Sequence, residues 1–305
     1  MLIKGYGFYI TKSNAILSDA LESIVNILAG GFALYSLHLA SKPKDLNHPN
    51  GHGKIEFVSG SVEGLLIIAA GLIMVAKSIY NLLYPNTLDN LDIGIILTVV
   101  AGGVNYLMGI QLQKRGELKD SQILISGGKH LKTDGYSSAA LVLGLTVLFW
   151  TDTAWLDNLI ALLFGVFIAY TGISVVRKNM SGIMDETQFD EVKKIIDTLQ
   201  SHRKTDWIDI HNFRMVKYGR DLHVDAHVTL PYYWDLSASH QELENISRVI
   251  SENSSTQVEV FFHADPCSAS SCSLCQISCQ HRSNEFVNTL TWTLDNVLPN
   301  HKHKL

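Results

Sequence analysis

Through its first 176 residues the chain repeatedly runs without charge for roughly the thickness of a bilayer, which needs about 20 mostly apolar residues per helix. Residues 23–41, 93–113, 135–151 and 158–176 contain no Asp, Glu, Lys or Arg, and residues 57–84 are apolar apart from Glu63 and Lys77. These five stretches predict membrane spans. Residues 2–10 are apolar but too short to cross. They are either an interfacial piece or the trailing half of a helix whose start is missing, and the second, favoured reading brings the bundle to six; without a small-residue cleavage site they are no secretory signal.

From Arg177 onward charged and apolar residues alternate as in a globular domain, so a membrane part is expected over residues 1–182 and a second domain over 183–305. Residues 189–199 have helical period, with Val192, Ile195, Ile196 and Leu199 apolar, whereas residues 222–230 alternate with period two. Gly219 marks the turn between the first two strands, residues 239–250 form a second amphipathic helix, and residues 257–262 a third strand. The order helix, strand, strand, helix, strand predicts an α+β layer with its helices on one face of the sheet. Phe286, Leu290, Leu294 and Val297 predict one more short helix.

Basic residues give this pattern a direction, because Lys and Arg in short connections mark the cytoplasmic side. Lys42, Lys44 and Lys54 lie between the second and third helices, Lys114, Arg115 and Lys119 between the fourth and fifth, and Arg177 and Lys178 follow the sixth. The connections at residues 84–90 and 151–158 have neither Lys nor Arg. Six crossings with the second domain in the cytoplasm satisfy this alternation, as expected of a multi-pass protein of the cytoplasmic (inner) membrane. A net charge of −5 without a basic run gives no sign of nucleic-acid binding, so lipids are the expected surroundings.

Ionisable groups at membrane depth cost a few kcal/mol each and normally mark a pathway. Glu22 and Asn26 stand one helical turn apart on one face, with Asp19 a turn earlier, and His130 and Asp134 repeat the spacing of four. Two such pairs on facing helices supply four ligands, the number a tetrahedral divalent ion requires. Ionised Glu22 and Asp134 with neutral Asn26 and His130 would balance its two positive charges, and protonation would weaken every ligand except Asn26. In the loop before the third helix, Asp45, His48 and His52 form a second candidate metal cluster, with Pro49 and Gly51 supplying the turn. The four cysteines, Cys267, Cys272, Cys275 and Cys279, are spaced C-x4-C-x2-C-x3-C and followed by His281. In a reducing cytoplasm such a cluster reads as a metal site, for tetrahedral zinc or for an iron–sulfur cluster.

Together these residues resemble the cation diffusion facilitator family over nearly the whole chain. The likeness rests on Leu17-Ser18-Asp19-Ala20-Leu21-Glu22-Ser23, on His48-Pro49-Asn50-Gly51-His52-Gly53-Lys54, on His130 with Asp134, and on His263-Ala264-Asp265-Pro266-Cys267. The resemblance implies a six-helix metal/proton antiporter, not an enzyme, working by alternating access, with a ferredoxin-like cytoplasmic domain and a homodimeric assembly. It places Glu22, Asn26, His130 and Asp134 at the transport site and Asp45, His48 and His52 at the loop site. His211, His227, His240, His263 and Asp265 match positions that bind ions, zinc above all, between the cytoplasmic domains of the dimer. Lys54 and Asp185 match the charged pair that locks its membrane halves.

Zinc and iron members usually carry Asp or His where Glu22 stands and Asp where Asn26 stands. Asn26 offers only a neutral carbonyl oxygen, which leaves Zn(II), Fe(II), Mn(II), Co(II) and Ni(II) open as cargo. The expected function is proton-coupled efflux of such an ion. The alternative is a membrane-anchored metal sensor or scaffold of the same fold. No His-Glu-x-x-His stands in a span, which disfavours an intramembrane metallohydrolase.

Overall fold

A computed structural model describes residues 1–84, 89–118, 122–151, 155–219, 221–254 and 256–303. Lys119 and parts of the two connections free of Lys and Arg lie outside the described residues. The chain divides into two compact units, one of Met1–Tyr35 with Ser59–Asn179, the other of Ser36–Val58 with Met180–Leu305.

The first unit is helical, built from α1 (Leu2–Thr11), α2 (Asn14–Ala40), α3 (Ile55–Leu83), α4 (Leu91–Leu118), α5 (Gln122–Thr151) and α6 (Trp155–Ile183). Among the described residues, α2, α3, α4 and α6 are long and apolar enough to cross a membrane. α5 is as long, but Lys129, Lys132 and Asp134 interrupt its first half. Lys12 ends α1 in the left-handed conformation, φ 53°. α2 then starts under the buried carboxylate of Asp157, which accepts the Asn14 N–H at 2.7 Å and the Ser13 hydroxyl. A carboxylate over a helix's first free amides satisfies donors that lipid could not.

Glycine spacing explains which helices lie closest. Gly64 and Gly71 on α3 oppose Gly165 and Gly172 on α6: a Cβ at Gly71 would lie 2.7 Å from the Gly165 carbonyl oxygen, and one at Gly172 2.9 Å from that of Gly64. Gly102 and Gly109 on α4 meet Gly128 and Gly135 on α5 in the same manner, with 2.8 Å from a Cβ at Gly109 to the Gly128 carbonyl oxygen. In lipid, where apolar burial gives little drive, such backbone approach is what holds helices together.

In the second unit, α7 (Phe189–Ser201), β1 (Asp209–Tyr218), β2 (Asp221–Leu230), α8 (Leu236–Glu252) and β3 (Val258–Pro266) follow the predicted order. β2 is central, antiparallel to β1 and parallel to β3. Val192, Ile196 and Leu199 of α7 and Ile246 and Ile250 of α8 are buried in one core with Val224, Ala226 and Val228 of β2. Those strand residues alternate with the histidines, so the helices cover one face and the histidines share the other. Gly219 holds the β1–β2 turn at φ +64°. β3 runs to Pro266, four residues past its predicted end, and so carries His263 and Asp265 on the strand itself.

The last predicted helix is a correction. Only α9 (Leu294–Val297) is helical there, and Phe286 is exposed. Residues 283–293 are rich in Ser, Asn and Thr, whose side chains compete for the backbone. Apolar anchors hold the segment instead: Trp292 and Val297 are buried in the domain core. The Arg203 guanidinium lies 3.9 Å from the Trp292 ring centroid and donates to the carbonyls of Trp207, Ile208 and Leu290.

Candidate metal centres

On α2, Glu22 and Asn26 are half-buried while Ile24, Ile27 and Leu28 are exposed, so the polar stripe faces protein and the apolar one faces outward. The Asn26 amide donates to Asp134 Oδ2 at 3.3 Å, joining α2 to α5. His130 Nε2 stands 4.0 Å from the other oxygen of Asp134, which is buried. Asp19 is buried as well. Its Oδ1 receives the Lys4 ammonium at 2.7 Å and the Ser138 hydroxyl at 3.4 Å, while Oδ2 has no hydrogen-bond partner among the described residues. Lys4 escaped the sequence reading because one lysine near the chain start gives no periodic signal.

The loop before α3 gathers Asp45, His48 and His52, with one ligand atom of each within 4.8 Å of the others. Asp45 Oδ1 accepts the backbone N–H groups of Asn47 and His48 at 2.9 and 2.7 Å, an Asx turn that folds the loop over its own carboxylate. The His48 amide is the main reason the Asp45 carboxyl is held below its ordinary range. His52 Nε2 lies 3.4 Å from Asp45 Oδ2, and its buried Nδ1 has no hydrogen-bond partner among the described residues. Gly53 seats the loop on the hairpin, since a Cβ there would come 2.4 Å from the Tyr218 carbonyl oxygen.

On the sheet, register makes the site. His211 pairs with His227 and His227 with His263, so three histidines form one row across three strands. Asp265, two residues beyond His263, returns to the same face. His211, His227 and Asp265 meet within 4.8 Å, with His211 Nε2 at 3.3 Å and His227 Nδ1 at 3.5 Å from Asp265 Oδ2. His263 Nδ1 lies 3.0 Å from Asp265 Oδ1. The structure does not bring His240 into this cluster; it stands exposed on α8, 3.6 Å from Glu244.

Three further residues complete the sheet cluster. Asp209, two before His211 on the same face, is 3.4 Å from His211 Nδ1. His303 Nδ1 contacts Asp209 at 2.6 Å, and the Lys302 ammonium is 3.4 Å from Asp265 Oδ2. Burial pulls the His211 pKa below its ordinary value despite the flanking carboxylates. Burial pushes the other way at Asp265, but Lys302, with His227 and His211, outweighs it and holds that carboxyl low. Strand alternation could have found Asp209, whereas the tail residues have no spacing relation to the sheet.

The Lys54 ammonium is 2.9 Å from Asp185 within one chain, and 4.7 Å from the Tyr218 ring centroid. The four cysteines line a single cavity of about 20 Å³, though no three of their sulfurs approach as closely as the ligand atoms of the loop and sheet clusters.

Comparison with known proteins places the chain in a family. Residues 1–184 match the cation efflux transmembrane domain, and residues 187–267 the cytoplasmic domain of cation efflux proteins. The chain is 32% identical over 266 residues to an uncharacterized transporter of Synechocystis, sll1263, covering 87% of this chain and 86% of that protein. It is 26% identical over 272 residues to the cation-efflux pump FieF of Escherichia fergusonii, covering 88% of each. With metal tolerance protein C1 of Arabidopsis thaliana the identity is 24% over 300 residues, 92% of this chain and 61% of that protein. The chain belongs to the cation diffusion facilitator family and is a multi-pass membrane protein.

Proposed function

We propose that this protein exports a divalent transition-metal ion from the cytoplasm in exchange for protons, as a homodimer in the cytoplasmic membrane, through Glu22, Asn26, His130 and Asp134. The observation that carries the reading is the Asn26–Asp134 hydrogen bond with His130 a turn away, which brings two pairs of costly residues together across α2 and α5. Glu22 and Asp134 supply the two negative charges that a divalent ion needs away from water. Asn26 donates to Asp134, so ligating an ion requires its amide to turn and present the carbonyl oxygen instead. Protons taken up by the carboxylates and His130 compensate for the departing ion.

The loop residues Asp45, His48 and His52, and the sheet residues His211, His227, His263 and Asp265, are proposed as ion sites that monitor cytoplasmic metal, with His240 contributing from the partner subunit. Lys54 and Asp185 are proposed to brace the dimer. Reconstitution into vesicles holding a pH dye, challenged in turn with Zn(II), Fe(II), Mn(II), Co(II) and Ni(II), tests the reading. Metal flux with opposite proton movement, abolished in Asp134→Ala, is the expected result. Binding without flux for every ion would overturn it in favour of a sensor.

A further inference from the structure

Residues 267–293 have almost no regular structure: one turn of 3-10 helix, Ala269–Ser273, followed by irregular chain. Three buried residues, Ile208, Leu274 and Cys275, form the apolar cluster beneath the start of this segment. A stretch this short with so little core ordinarily needs a staple.

The cysteines are arranged as one would be. Cys267 follows β3, and its sulfur accepts the Tyr232 backbone N–H at 3.4 Å. Cys272 sits in the 3-10 turn, opened by reciprocal Ser268 and Ser271 capping bonds. Cys275 is buried. A backbone amide that donates to sulfur, as Tyr232 does to Cys267, suits a thiolate that binds metal and orients it as outer partners do. Arg282 folds back over the segment and donates to the carbonyls of Cys272, Cys275 and Ile277 at 2.9, 2.7 and 2.6 Å. These bonds occupy the outward carbonyls and set a positive charge beside the sulfurs.

All four cysteines line the same cavity of about 20 Å³, with Ile208, Pro231 and Ile277 among its other walls. Tetrahedral zinc with Zn–S bonds of about 2.3 Å holds its sulfurs about 3.8 Å apart, so binding would draw this loop together. Cys272, Cys275 and Cys279 lie beyond the region matched to the family's cytoplasmic domain.

We propose that Cys267, Cys272, Cys275 and Cys279 bind one structural zinc ion that staples the C-terminal segment to the end of the sheet. The site does not depend on transport, so its failure would leave the reading above standing, and the reverse holds too.

The chain has no other cysteine, so thiol-specific signals report on this segment alone. Full-length protein purified anaerobically in detergent is titrated with an organomercurial while released zinc is followed by a chromogenic chelator. One zinc per four thiols is expected. Cobalt exchanged into the site should give sulfur-to-metal charge-transfer and strong d–d bands of tetrahedral thiolate coordination, both lost in Cys272→Ser/Cys279→Ser. Should that variant not fold, the organomercurial titration of the unaltered chain decides alone. Thiols that react without zinc release would overturn the proposal, and so would iron with acid-labile sulfide in place of zinc.

Discussion

Lys302 occupies the place that a cation would take at the sheet cluster, and removing it is predicted to tighten metal binding there. Its ammonium is 3.4 Å from Asp265 Oδ2, the oxygen also approached by His211 and His227, and is tethered by the Pro266 carbonyl at 3.0 Å. At that distance, with an effective dielectric constant near 20, the attraction is roughly 5 kcal/mol before desolvation and screening. The lysine side chain is 30% exposed and the carboxylate 13%, so the net worth falls to about 1 kcal/mol. An arriving ion must displace it. Lys302→Met should therefore lower the zinc dissociation constant of this site about fivefold. Isothermal titration of the full chain in detergent would measure it, with Asp265→Asn and the double variant alongside to separate this site from the loop and the cysteines. The gain should vanish in the Asp265→Asn background. Unchanged or weaker binding in Lys302→Met would refute the reasoning and make Lys302 a support for the site.

Other outcomes follow from packing and charge. Gly71→Leu puts a branched side chain where even a Cβ lies 2.7 Å from the α6 backbone, and should sharply reduce the yield of monodisperse protein in detergent by size-exclusion chromatography. Arg203→Met removes a guanidinium that serves three carbonyls and covers Trp292; it should cost about 2–3 kcal/mol, seen as a lower melting midpoint of the C-terminal domain. Stability should also fall with acidification in chelator. His211 has a lowered pKa, so the unfolded chain binds more protons just below its ordinary value of about 6.5, and stability drops as pH falls through that range. Asp265, also lowered, adds a second drop below about pH 4, and His211→Gln should flatten the first while leaving the second.

What the sequence revealed depended on whether an interaction repeats at a fixed interval. The spans, the two pairs spaced by four, and the order of α7 to β3 all follow a helical or strand period, and α7 to β3 appear in that order. The loop histidines were legible because Asp45, His48 and His52 lie within one turn-forming segment. The row of His211, His227 and His263 has no spacing signal and is reached only through the family resemblance: cross-strand register depends on where hairpin and crossover place each strand, and β1 carries an irregularity between His211 and Arg214. Apolar spacing alone misled at residues 286–297, where Trp292 rather than a helical stripe is the anchor.

The contacts missed from sequence share a physical cause. A carboxylate shielded from water is costly unless a cation or several donors face it. Asp19 faces Lys4, and Asp265 faces Lys302; both lysines come from near the ends of the sequence, distant in number from the carboxylates they serve. Asp45, half-exposed, needs no lysine and is served by two backbone amides. Asp134 is the exception: it is buried, yet its polar contacts among the described residues are one amide at 3.3 Å and an imidazole at 4.0 Å. A carboxylate so weakly served needs a further positive charge, whether ion or proton, and that requirement fits the exchange of ion for proton proposed above for Asp134.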